Sequence, residues 1–427
     1  MELQEDYLAK AQELFPPSSP YLEPIVIESG QGSYVYDVNG KRYIDFTTGI
    51  AIAPIGHCHA KVVEAINQQS QKLVSSMNFL WEKTKIELAD KLINVLPTNL
   101  DSVFLCNSGT EAIEGAIKLV RKAQPGRSNF IAFNGGFHGR TMGALSVTAS
   151  KASYRADYFP LLPSTHFVDY PQKGISTDKV MEQLDKLFEH SCPPSSVAAI
   201  FVESILGEGG YHVPPKDFLP RLRQLCDRWE ILLVVDEIQS GFGRTGKWFA
   251  CEHSGVQPDI MAFAKGIASG LPLGGFAANN QLMSKLNPGA HGSTFGGNPI
   301  SCAAAIATLK VIDQERLMER AASKGRQIRD RIRAKFGNYL DVRGEGFMIA
   351  IEPKSSFLNV KSILNRAQSK GVLALNCGSN GNTIRLIPAL NIPDEVLEEG
   401  LSIFEQIFDY EILVAEECDK YRSKETV

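Results

Sequence analysis

At 427 residues, with 44% apolar and 22% charged side chains, the chain is long enough for two or three structural units and a deep cleft. A formal net charge of -4 with no block of like charges gives no electrostatic footprint for nucleic acid. The eight cysteines, at positions 58, 106, 192, 226, 251, 302, 377 and 418, include no Cys-x-x-Cys pair; they lack the zinc and thioredoxin signatures and suit a reducing compartment.

The N-terminal residues 1–15 are acidic and lack the basic-then-apolar pattern of a secretory signal. Two uncharged stretches, 266–284 and 286–309, are broken by glycine and proline, so neither reads as a membrane span. The expectation is a soluble, cytoplasmic protein.

Residues 34–37 and 41–46 flank Val38-Asn39-Gly40 and predict a β-hairpin. From residue 60 the pattern changes. Helical stretches such as 62–74 and 84–95 alternate with short apolar runs at 102–105, 130–133, 197–202 and 231–235. Strands this apolar, separated by helices, predict a mostly parallel sheet covered on both faces. The large α/β domain is expected over residues 60–325. A charged helix over 316–336 leads into strands at 339–343, 347–351 and 383–387 mixed with helices. That is a smaller α+β domain over 326–427, to which the segment 1–59 is assigned. The polar tail 416–427 is expected to fray.

Ser102-Val103-Phe104-Leu105 is followed by Cys106-Asn107-Ser108-Gly109-Thr110-Glu111, then by Ala112, Ile113, Ala116, Ile117 and Val120 at helical spacing. A strand therefore feeds a helix through a small turn. Free N–H groups at such a start attract phosphate, and the Ser108 and Thr110 hydroxyls add donors. A capping box, Ser108-x-x-Glu111, accounts for the same residues with no ligand at all.

Ile231-Leu232-Leu233-Val234-Val235 reads as a buried strand ending in Asp236-Glu237. In open α/β sheets ligands lie beyond the C-terminal strand ends, which places Asp236 at a cleft. Lys265 is the one charge in the run 260–284. Apolar surroundings disfavour an ammonium, and a neutral amine can form a Schiff base with an aldehyde. A snorkelling lysine is the plainer reading. Taken together, the lysine, the carboxylate and the helix start are what pyridoxal phosphate requires for its aldehyde, its ring nitrogen and its phosphate.

Two decoys are set aside. Gly241-Phe242-Gly243-Arg244-Thr245-Gly246 matches the dinucleotide fingerprint, but residues 236–240 separate it from the strand and no clear helix opens on it. His57-Cys58-His59 lacks a further ligand cluster, which favours a structural or pocket-lining role over a metal site.

Read in order, these segments resemble the class III (ω-amino acid) aminotransferases of pyridoxal-phosphate fold type I. The matching runs are Gly49-Ile50-Ala51, residues 107–112, Phe137-His138-Gly139-Arg140-Thr141, Val202-Glu203, Gly207-Glu208-Gly209-Gly210, residues 236–246, Ala264-Lys265-Gly266, residues 293–299 and Ile384-Arg385-Leu386. The resemblance covers nearly the whole chain. It implies that Lys265 carries the cofactor and shuttles the proton, with a pyridoxamine phosphate intermediate. It also implies that Asp236 pairs with the ring nitrogen and Gln239 with the ring hydroxyl, while Phe137 stacks on the ring. Ser108, Gly109, Thr110 and Glu203 belong to the cofactor pocket, and Thr294 reaches the neighbouring subunit's phosphate in a homodimer with a shared site.

Among substrate residues the resemblance implies Ile50, Arg140 for the donor carboxylate, and Arg385 for the α-carboxylate of glutamate or 2-oxoglutarate. Glu208 would pair with Arg385 when the donor lacks that group. Residues 264–275 and 376–385 look most like the 4-aminobutyrate branch. Two segments depart from the family pattern: Ser204-Ile205-Leu206 after Glu203, and Gly115 where an asparagine is common. An acetylornithine- or ornithine-type aminotransferase and an amino-acid racemase of the same family are the alternatives; a non-catalytic scaffold is a more distant one.

Overall fold

The computed structural model describes residues 2–16, 23–76, 80–162, 164–355 and 358–425. Three sheets organise them. The first begins at the N-terminus with β1 (Ile27–Gln31), β2 (Tyr34–Asp37) and β3 (Arg42–Asp45). β2 and β3 pair as the expected hairpin, turned where Gly40 takes φ 80°, a conformation glycine adopts without cost.

The central sheet is built from β4 (Ser102–Cys106), β5 (Asn129–Phe133), β6 (Thr165–Val168), β7 (Val197–Glu203), β8 (Leu232–Asp236), β9 (Ile260–Phe263) and β10 (Gly274–Ala278). Its order is β4-β10-β9-β8-β7-β5-β6. All neighbours are parallel except β10, which runs antiparallel to both β4 and β9. The strands are apolar throughout because both faces are covered. Phe133, Ile200, Val202, Leu233, Val235 and Met261 point into one core, and Phe130, Ala132, Phe201, Val234 and Ala262 into the other. Fully burying a Val, Leu or Phe side chain contributes about 1.5–3 kcal/mol, so these two layers dominate the stability of the sheet.

The last part of the chain carries β11 (Leu340–Glu345), β12 (Met348–Pro353), β13 (Val372–Leu373), β14 (Leu375–Cys377) and β15 (Thr383–Leu386). Four of these form an antiparallel sheet in the order β11-β12-β15-β14. β13 instead pairs in parallel with β3, tying the N-terminal sheet to the C-terminal part of the chain. The expected domain boundary at 325/326 falls inside the helix Leu317–Phe336, which packs on β11.

The tail does not turn to loose chain at residue 416. A helix runs over Asp394–Glu425, anchored by Val396, Leu397, Leu401, Phe404, Ile407 and Phe408, and its backbone hydrogen bonding propagates beyond these side chains. Residues 426–427 lie outside the described residues. No described helix is long and apolar enough to cross a membrane.

Candidate active site

Three strands of the central sheet end at one place. β7 and β8 are in register so that Glu203 stands beside Asp236, and β9 leads through Ala264 to Lys265. A cavity of about 460 Å³ opens over these ends. Its wall includes Ser108, Gly109, Thr110, Phe137, Arg140, Glu203, Glu208, Asp236, Gln239 and Lys265.

Alternation continues past the end of β8 and separates its last residue, Asp236, from the next, Glu237. Asp236 faces the cavity. Glu237 points the other way, fully buried, and accepts from the Ser204 and Ser240 hydroxyls, each at 2.6 Å, and from the Ala250 and Cys251 amides at 2.9 and 2.8 Å. Burial raises its pKa and these four donors oppose the shift. Ser204, a departure from the family pattern, is thereby explained: its hydroxyl supplies one of the donors that a buried carboxyl needs. Gly115 has an equally local reason, because a Cβ there would run into the Phe276 ring.

Asp236 is clamped from two sides. Oδ1 accepts from the Ile238 amide at 2.9 Å, and Oδ2 lies 2.8 Å from Nδ1 of His138. Burial alone would lower the pKa of the His138 imidazole; the hydrogen bond to Asp236 and the charges of Asp236 and Glu203 outweigh it and raise the value. Glu203 accepts from the amides of Phe137 and Gly207, both at 2.8 Å. Its own pKa is raised, by burial first and by Asp236 as a like charge, against the pull of His138.

Lys265 opens a short 3₁₀ turn, Lys265–Ala268, at φ +48°, a region that side chains other than glycine rarely adopt. Burial draws its ammonium down to about 8, against the opposing pull of Asp236. Across the cavity the helix Gly109–Ala123 begins. Ser108 caps it by accepting from the Glu111 amide at 3.3 Å, and Glu111 accepts in return from the Asn107 amide at 2.7 Å. Ser108 thus makes its half of the expected capping box, while the Glu111 carboxylate takes the Asn107 amide rather than that of Ser108, and the open helix start remains at the same turn. Thr110 Oγ1 lies 2.7 Å from Thr141 Oγ1 at the same rim.

On the substrate side, Arg385 of β15 is fully buried, and its Nη1 donates to Glu208 Oε2 at 2.9 Å. Its Nε and Nη2 have no partner among the described residues. Arg385 lies behind Glu208 rather than on the wall. Arg140 is exposed at the mouth, its guanidinium 3.7 Å from the centre of the Tyr154 ring. Ile50 is half-buried and off the wall, which Ile52 lines instead. Thr294 is exposed and also off it, although its neighbour Ser293 accepts from Asn107 Nδ2 at 2.9 Å.

His138, Lys151 and Tyr154 take part in the site without having been singled out. The run Phe137-His138-Gly139-Arg140 contained the signal for His138, but its partner is distant in sequence. The two decoys resolve locally. Residues 241–246 form turns with no helix, and His57 Nε2 pairs with Asp45 Oδ2 at 2.8 Å.

A mostly parallel sheet with a lysine, an aspartate and a helix start converging on one cavity is the arrangement of a fold type I pyridoxal-phosphate enzyme. The class-III aminotransferase family matches residues 16–408. The chain is 39% identical to the 5-aminovalerate aminotransferase DavT of Pseudomonas aeruginosa, over 95% of this chain and 98% of that one. It is equally 39% identical to the acetylornithine aminotransferase of Archaeoglobus fulgidus, over 89% and 95%. It is 37% identical to the 4-aminobutyrate aminotransferase GabT of Escherichia coli, over 96% and 99%. In three dimensions it resembles the ornithine aminotransferase of Toxoplasma gondii, whose structure has PLP at partial occupancy in the active site, with a TM-score of 0.87, 31% identity and 96% of each chain covered. The chain belongs to the class III aminotransferases, and its cofactor is pyridoxal 5'-phosphate.

Proposed function

We propose that the enzyme moves an amino group from an ω-amino acid of the 4-aminobutyrate type to 2-oxoglutarate. The observation that carries this reading is Arg385, a buried guanidinium whose Nε and Nη2 have no partner among the described residues and whose Nη1 donates to the Glu208 carboxylate. A planar guanidinium takes a carboxylate through two parallel hydrogen bonds, so Arg385 suits the α-carboxylate of an acceptor once Glu208 moves aside. With Glu208 in place its charge is neutralised, and a donor with no α-carboxylate fits. Arg140 then receives the donor's distant carboxylate.

The residues present fit the cofactor. Gln239 Oε1 is buried without a partner among the described residues, as a ring hydroxyl acceptor would be, and the helix start at Gly109 faces the same cavity. Lys265 would hold the aldehyde carbon, Asp236 the ring nitrogen, Ser108, Gly109 and Thr110 the phosphate, and Phe137 one face of the ring. Glu203 fixes the Phe137 amide. When bound, pyridoxal phosphate supplies an electron sink and a temporary carrier for the amino group. Asp236, oriented by His138, keeps the ring nitrogen protonated. Lys265 Nζ would take the proton from the substrate carbon and deliver it to the cofactor carbon, so that it ends the transfer in its starting protonation state.

A homodimer belongs to this reading. Trp81 is 89% exposed, Leu80 57% and Phe295 66%, surfaces that suit a second copy, and Thr294 next to Phe295 would serve the partner's phosphate. The 39% identity to an acetylornithine enzyme supports a second donor class. A donor screen with 2-oxoglutarate tests both. The expected result is glutamate formation with the highest kcat/KM from 4-aminobutyrate or 5-aminovalerate. N-acetylornithine as the best donor would replace the donor assignment, and racemisation of a chiral amino acid without 2-oxoglutarate would overturn the transfer.

A further inference from the structure

We infer that Lys151 and Tyr154 are specificity-determining positioning residues that hold Glu208 when a substrate carboxylate displaces it from Arg385. The inference deepens the proposed function and rests on it. The two oxygens of Glu208 face different partners. Oε2 accepts from Arg385 Nη1 at 2.9 Å, while Oε1 lies 3.4 Å from Lys151 Nζ and 3.3 Å from the Tyr154 hydroxyl. Lys151 precedes the short turn Ala152–Tyr154, so one local element presents both groups to the same oxygen.

Charge balance explains why the second anchor matters. The side chains of Arg385, Glu208 and Lys151 are 0%, 10% and 16% exposed, so water does little to support an unpaired charge among them. A dicarboxylate acceptor brings two negative charges beside that of Glu208. Three carboxylates then require three cations, and Arg140, Arg385 and Lys151 supply them. A monocarboxylate donor leaves Glu208 on Arg385, and Arg140 takes the single carboxylate. Glu208 therefore pivots about Oε1, exchanging one partner and keeping two. Tyr154 also lies beneath the Arg140 guanidinium, at 3.7 Å, so the pivot and the donor's anchor share one ring.

The test is calorimetric titration of the full-length, cofactor-loaded enzyme with glutarate, a dicarboxylate with no group to transfer. Lys151→Met should weaken glutarate binding at least about tenfold, and Lys151→Arg, which keeps the charge, should restore it to within about threefold. In a Glu208→Gln background, where there is no charge to hold, Lys151→Met should add less than about twofold. An equal loss in both backgrounds would show that Lys151 grips the ligand itself, and no loss in either would show that it holds nothing; both overturn the inference and leave the acceptor assignment standing. Failure of the unaltered enzyme to bind glutarate would instead remove the dicarboxylate acceptor, and the pivot with it. Thermal melting of each variant, with recovery by Lys151→Arg, separates these results from loss of fold.

Discussion

Lys265 combines two costs that the proposed Schiff-base role accounts for. Its φ of +48° stores strain of roughly 1–3 kcal/mol, and its amine is buried where an ammonium is disfavoured. Below about pH 8 the amine is protonated; above it the neutral, nucleophilic form prevails. Uptake of pyridoxal phosphate by the apo-protein should therefore rise with pH to a plateau whose midpoint lies near 8 rather than at the ordinary lysine value, as stopped-flow absorbance would show. Lys265→Ala should lower kcat for both half-reactions by about a thousandfold or more, since in the proposed mechanism it is both the tether and the proton carrier. Glu208→Ala should impair the ω-amine half-reaction by several-fold more than the glutamate half-reaction, because Arg385 stays uncovered; equal losses in single-turnover spectra would contradict the exchange. Lys265 and Asp236 were legible in the sequence because each closes an apolar run, a signal carried by its immediate neighbours. His138 was not, since its meaning comes from Asp236, 98 positions away.

At the scale of elements, the strand-to-helix turn at residues 106–111 caps its helix and is proposed also to hold the cofactor's phosphate. Removing the cap with Ser108→Ala should cost about 1 kcal/mol of stability in urea unfolding and also weaken cofactor retention, because the same N–H groups face both tasks. The helix Leu317–Phe336 crosses the Glu345–Gly346 turn so closely that a Cβ on Gly325 would strike the Gly346 carbonyl. Gly325→Val should therefore destabilise the protein by about 1–3 kcal/mol or more, read from the same unfolding curves. Most helices and strands were legible from periodicity, within a few residues at their ends. The two apolar stretches past Lys265 were harder to place. Phe276, Ala277 and Ala278 turned out to be a buried strand, and residues 299–314 a helix that is apolar nearly all round, where no amphipathic stripe marks the element.

Across the whole molecule, the large sheet was legible as mostly parallel, but the place of β10 between β4 and β9 was not. Strand order is set by pairings between distant segments, which no local pattern records. The helix Leu317–Phe336, within which the expected domain boundary falls, runs without a break at its midpoint. Assembly is testable at this scale. Trp81→Glu should shift the sedimentation profile from dimer toward monomer and lower cofactor retention, since the exposed indole and Thr294 are proposed to face the second copy.

The strand Val372–Leu373 completes a sheet begun more than three hundred residues earlier, with Leu373 beside Asp45. During synthesis the ribosome has therefore delivered most of the chain before the first sheet can gain its last strand. Until then Arg42–Asp45 presents an open edge, a surface that recruits other strands. A nascent chain stalled or truncated before residue 372 should be prone to aggregate, and the first sixty residues made alone should not hold their native sheet.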